Sequence, residues 1–129
     1  MNQKPSISKK TTSIKVVVID PYVRTVGTME IPLTVKSITN TIGSKCELFE
    51  LVRLDGMTNL LVDEEGLFTG HAEISGTKYG TMITGYKQPL FGRIIVCGND
   101  PKDPTNFGST KLSADGVRRI VSGWVQGTV

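Results

Sequence analysis

Few side chains in this sequence are of the kinds and spacings that do chemistry. His71 is the single histidine of the 129 residues. An imidazole titrates near neutrality and suits general acid–base work, but no Ser or Cys partner stands at a recognisable spacing from it. The plainer reading is a loop histidine in solvent or in a backbone contact. Asp63-Glu64-Glu65 is a run of carboxylates. A divalent cation needs oxygen ligands that converge on one point, whereas adjacent residues of a tight turn project in different directions. With Gly66 next, the run reads as a solvated hairpin turn. No catalytic residue and no metal ligand is therefore assigned, and no cofactor is expected.

Residues 69–88 carry the densest set of contact-forming side chains. Gly70, Gly76, Gly80 and Gly85 recur among His71, Lys78, Tyr79, Tyr86 and Lys87. The glycine spacing is neither GxGxxG nor GxxxxGK[ST], and no helix opens directly after it, so a phosphate cradle is absent. The segment is read as a long loop or as short, broken strands. Its aromatic and cationic residues, with Arg93 downstream, suit contact with a partner or an anionic ligand.

Cys46 and Cys97 are the two cysteines, both in predicted strands and flanked by apolar residues. They fit no zinc spacing and read as buried free thiols, with a disulfide as the alternative. Lysines are uneven. Lys4, Lys9, Lys10 and Lys15 are the only charges in the first 15 residues, leaving 11 bases against 12 acids in the rest. The net charge of +3 thus belongs to the tail. A nucleic-acid reading rests on Lys4, Lys9 and Lys10 with Arg118 and Arg119 on a terminal helix, against a solvated leader and a solvated helix face.

The elements that must position these residues surround one stretch, residues 89–99. Ile94 to Cys97 is an apolar run between Gly92 and Gly98 and reads as a buried central strand. Ile14 to Ile19 is a first strand, rich in β-branched residues, ended by Asp20-Pro21. Val23 to Ile31 is a second, more polar strand. Thr34 caps a first helix with Val35, Ile38 and Ile42 on one face, and Gly43 is expected to stop it in the left-handed conformation. Cys46 to Leu54 and Thr58 to Val62 are strands joined at Asp55-Gly56, and the turn at residues 63–66 continues them as a meander. Ser113 caps a last helix whose apolar face is Val117, Ile120, Val121, Trp124 and Val125.

The expected fold class is α+β: an antiparallel-rich curved sheet or partly closed barrel of about five or six strands with two packed helices. Residues 1–12 are expected to be a flexible basic tail, and 13–129 a single domain. The chain holds no apolar run of about 18 residues and no signal-peptide centre near Met1, so a cytoplasmic protein without a membrane partner is expected.

Three stretches resemble a family of small phage and mobile-element proteins of unknown function. They are the Leu60 to Phe68 strand and turn with its VDEEGL core, the strand Gly92-Arg93-Ile94-Ile95-Val96-Cys97-Gly98, and the helix opening Leu112-Ser113-Ala114-Asp115. The resemblance runs from about residue 14 to 125 and departs most at 71–88. It implies an α+β domain in a phage or mobile-element setting and transfers no activity or site residue. The leading expectation is a non-enzymatic accessory protein that binds and modulates a host factor, such as a defence or transcription component. One alternative sequesters a nucleotide or similar anion, and another binds nucleic acid. An exposed sheet edge also makes a homo-oligomer an expectation.

Overall fold

The central strand is Ile94–Asn99 (β8). The computed structural model describes residues 12–67 and 73–128. Two hairpins flank β8. Ser13–Asp20 (β1) and Thr25–Pro32 (β2) form one, and Phe49–Arg53 (β3) and Asn59–Asp63 (β4) form the other. All pairings are antiparallel and the order is β2-β1-β8-β4-β3. The second sheet contains Glu73–Ile74 (β5), Thr77–Ile83 (β6), Leu90–Phe91 (β7) and Val121–Thr128 (β10). Its order is β10-β6-β5, with β7 also on β6.

The chain is therefore α+β and mostly antiparallel, but it is built from two open sheets. The partly closed barrel is not formed. The meander breaks after β4, whose free side pairs with β8 and not with the strand that follows it.

Alternation along β8 explains the layers. Ile94 and Val96 point to one core with Val17, Leu60, Val62, Ile83 and Leu90, between the two sheets. Ile95 and Cys97 point to the other, under the helix Val35–Ile42 (α1), with Val16, Ile38, Ile42 and Leu61. A strand buried on both faces must be apolar on both, as β8 is from Ile94 to Cys97.

Thr34 caps α1 as expected, its Oγ1 accepting from Ser37 N at 3.0 Å. Two details differ. Gly43 has φ 170°, an extended conformation open to any residue, and its N–H closes on Thr39 O. Val35 is 60% exposed, so the buried face of the helix is Ile38, Thr39 and Ile42. At the first turn a side chain lies over the incoming chain and not over the sheet.

The expected last helix is the largest correction. Ala114–Arg118 (α2) is helical, capped by Ser113, and the chain from Val121 to Thr128 is β10. Val117, Ile120, Val121, Trp124 and Val125 do repeat at helical spacing. Gly123, Gly127 and the β-branched valines nevertheless lower helix propensity, and β6 offers an edge that takes up the inward-facing backbone groups of the segment along its length.

Phe107–Gly108 (β9) is a two-residue strand. The register of β1 on β8, Val17 to Val96, would bring Lys15 opposite Gly98. Gly98 pairs with Gly108 instead, and Lys15 bonds Ser109 Oγ through its N–H and Thr110 N through its carbonyl. The segment 107–110 is thus wedged between the ends of β1 and β8. A Cβ on Gly98 would lie 2.6 Å from Ser109 O, and one on Gly108 would lie 2.7 Å from backbone atoms of Asn99 and Asp100. The buried Asn59 side chain secures the bend by donating to Gly98 O and Asn99 Oδ1.

Both cysteines are buried and free. Cys97 lies in β8, but Cys46 precedes β3 and donates to Leu48 O. Burial pushes both thiols up to about 12, with the Asp63 carboxylate adding to the rise at Cys46 and Asn59 opposing it at Cys97. The folded chain therefore holds these protons more tightly than the unfolded chain. The associated stability is complete below about pH 9 and is lost as pH rises towards about 12. Urea midpoints are expected to fall across that window, and thiol reagents at neutral pH to label the native chain far more slowly than the unfolded one. Fast native labelling would contradict this burial.

Candidate functional site

At the end of β1 the chain turns through Pro21-Tyr22-Val23-Arg24 into β2. Asp20 Oδ1 accepts from Tyr22 N at 2.9 Å, a local Asx turn, and Arg24 closes the reversal at φ 58°. The second carboxylate oxygen, Oδ2, accepts from Arg93 Nε at 3.0 Å. That ion pair holds the guanidinium over the Tyr22 ring, 5.1 Å from its centroid. Cation and ring attract through the ring quadrupole.

The second sheet supplies the rest. Ser75-Gly76 turns β5 into β6 with φ of 52° and 84°, the two positive angles that a type I′ hairpin requires. Tyr79 on β6 meets Tyr22 with ring centroids 5.5 Å apart, tilted at 56°. Its carbonyl accepts from Gly92 N at 2.9 Å, which brings the β7–β8 link, and hence Arg93, to this corner. Lys78, on the opposite face of β6, lies with Nζ 5.3 Å from the Phe91 ring centroid. Gly80 is bare beneath that ring, where a Cβ would come within 2.8 Å of Phe91 Cδ1.

Tyr22, Lys45, Asp63, Ile74, Phe91 and Arg93 are among the residues lining a cleft of about 390 Å³ at this corner, between the C-terminal end of α1 and the second sheet. Burial raises the Tyr22 hydroxyl above the usual phenol range. Arg93 pulls it down, and Asp20 and Asp63 push it further up. At neutral pH it is a proton-bearing donor. Arg93 spends Nε on Asp20, which leaves the terminal guanidinium groups as donors at the cleft. Ile74 is 51% exposed at the rim. The corner can thus offer aromatic area, a fixed cation and a phenol donor to one ligand or one protein side chain.

Of the residues singled out from sequence, the structure brings together Tyr79 and Arg93 around Tyr22, while Lys78 lies on the other face of β6, against Phe91. Tyr86 lies elsewhere, half-buried against the inter-sheet core, and Lys87 is exposed beyond the Thr84-Gly85 turn. His71 and the tail lysines Lys4, Lys9 and Lys10 lie outside the described residues. Arg118 pairs with Asp115 and donates to Val26 O, so it is tied to the fold, while Arg119 is exposed at the end of α2. Asp63 is not solvated as its run suggested. It is 4% exposed, and its Oδ1 accepts from Glu65 N at the start of a 3-10 helix, Glu64–Leu67. Among the described residues no group of three His, Cys, Asp or Glu side chains could hold a metal ion, and no helix is long and apolar enough to cross a membrane.

Sequence reasoning missed Asp20, Tyr22 and Phe91. The signal available was an Asp-Pro-Tyr turn ending a strong strand, which places an aromatic ring at a strand end.

The fold and corner together define a small α+β protein with a surface cluster of aromatic and cationic side chains. The chain is similar to Protein PsiB of Rhizobium leguminosarum bv. phaseoli, 33% identical over 87 residues, which is 67% of this chain and 58% of that protein. The chain thus matches less than two thirds of that relative's length. No family model matches it, and no solved structure does.

Proposed function

We propose that this chain is a non-enzymatic accessory protein of a phage or mobile element that acts by binding a host protein, and that the Tyr22–Tyr79–Arg93 corner is its contact surface. The observation that carries the reading is the fixing of two tyrosines and one arginine against each other at a surface cleft. Tyr and Arg dominate binding energy where they are held rigid and partly desolvated. Here the Asp20 ion pair and the ring contacts fix them before any partner arrives, so little side-chain entropy remains to be lost on docking. The mobile-element setting comes from the sequence resemblance, and a defence or transcription component is the kind of host factor intended.

A second reading has its own support. The cleft falls within the range of small-ligand sites, about 300–1,000 Å³, and Arg93, Lys45 and the Tyr22 hydroxyl suit an anion such as a nucleotide. Nucleic acid is a third reading, resting on the tail lysines and Arg119. A steep loss of affinity with salt, abolished by deleting residues 1–12, would support it.

The test is capture from host lysate with the tagged full chain, followed by mass spectrometry of protein and small-molecule fractions. The expected result is one enriched protein whose affinity falls about tenfold or more in Arg93→Ala and in Tyr22→Ala but not in Lys111→Ala at the far end. An enriched nucleotide without a protein, together with a saturable thermal shift, would replace this reading with sequestration. Equal affinity for all three variants would remove the corner from function.

A further inference from the structure

We infer that the outer edge of β3 is a self-association surface, on which a second copy of this chain adds its own β3 antiparallel about a two-fold axis at Leu51. An edge strand presents unpaired N–H and C=O groups that template another strand unless something blocks them. Three long edges exist among the described strands, and two are obstructed.

On β2 the register with β1, continued by Leu33 N bonding Thr12 O, turns Val26, Thr28, Glu30 and Pro32 outward. Arg118 occupies Val26 O at 3.0 Å, and Pro32 has no N–H to give. On β10 a bulge between Val121 and Gly123 breaks the line, and Arg24 reaches Gln126 Oε1.

β3 has neither device. Glu64 N bonds Leu48 O, and Leu54 N bonds Thr58 O, so even-numbered residues of β3 face β4. Phe49, Leu51 and Arg53 therefore turn their backbone groups outward, at the end of the sheet order. Their side chains share one sheet face. Leu51 is 38% exposed, apolar surface that pairing would cover. Arg53 is exposed and makes no ion pair among the described residues.

The side chains choose the occupant. With the axis at Leu51, Leu51 meets the partner's Leu51 and Phe49 meets the partner's Arg53, twice by symmetry. Each outward pair exchanges both N–H···O bonds, and the arginine lies beside an aromatic ring. An axis at Glu50 would instead set two carboxylates directly opposite each other, which is unfavourable. The edge is thus self-complementary in this register, as an isologous interface must be. It joins the six-stranded sheets of two copies into one.

Sedimentation of the full chain over a concentration series tests this. A reversible dimer is expected. Leu51→Lys, which opposes two ammonium groups, and Leu51→Pro, which removes the outward N–H without touching a bond to β4, are each expected to weaken it at least tenfold with unchanged circular dichroism. If Leu51→Pro does not fold, Leu51→Lys decides. Oxidised Leu51→Cys is expected to cross-link to a dimer, and Phe49→Cys, which faces Arg53 and not its own copy, is not. A monomer at every concentration, a dimer insensitive to Leu51→Lys, or cross-linking of Phe49→Cys in preference to Leu51→Cys would each overturn the proposal.

Discussion

Alanine at Ile94 is expected to lower the unfolding free energy by an amount near the top of about 2–5 kcal/mol, and alanine at Ile95 by an amount nearer the bottom. Both residues are fully buried neighbours on β8, so the lost transfer energy is the same. What differs is the wall facing each side chain. Ile94 points between two hydrogen-bonded sheets, which cannot close on a void without shearing their ladders. Ile95 points at α1, an eight-residue helix held by packing. Such a helix can settle into the space and recover part of the contact. Urea denaturation of the two variants measures the difference. Equal losses, or the reverse order, would show that the sheets move as readily as the helix.

Gly108→Ala is expected to destabilise by about 1–3 kcal/mol through overpacking. The new methyl would meet only backbone, at 2.7 Å from Asn99 and Asp100, and backbone cannot rotate away as a side-chain tip can. The wedge of residues 107–110 between β1 and β8 would have to withdraw, taking the Lys15 bonds to Ser109 and Thr110 with it. Gly27→Ala is the control. Gly27 lies in β2 with nothing within 4 Å of its Cβ direction and no positive φ. Alanine there is expected to be neutral or stabilising by up to about 1 kcal/mol, because it restricts the unfolded chain. Melting temperatures should therefore move down for the first variant and stay or rise for the second. A neutral Gly108→Ala would mean that the wedge is loosely held.

Local signals carried much of the fold. β1, α1 with its Thr34 cap, and the buried β8 were legible because each rests on its own residues: β-branched runs, a cap and a short helical period, and an apolar run between glycines. β10 was not, because its apolar residues satisfy a helical period and only the free edge of β6 decides for the extended state. The division into two sheets was equally hidden. Nothing within β4 says that its second neighbour is β8, more than thirty residues downstream, and not the next strand. For the candidate corner, Tyr79 and Arg93 were visible as types but not as neighbours. Tyr22 was passed over because a turn residue gains a role only when a distant strand is laid against it. Tyr86 was chosen by type, and the Gly85 turn sent it to the core instead.

The position of β8 in the chain sets the order of events in folding. β1 joins β8 through pairs such as Val17 with Val96, and β4 joins it through pairs such as Leu60 with Val96. A nascent chain that has not yet reached Ile94 can hold the β1–β2 and β3–β4 hairpins, but it has nothing to place between them. Their apolar faces wait for a strand that begins about thirty residues after β4 ends. Two-stranded hairpins alone are marginal in water, and contacts of such long sequence separation form slowly. The six-stranded sheet thus closes only once β8 is present. Until then the unpaired inner edges of β1 and β4 are what a chaperone or an aggregating neighbour would meet.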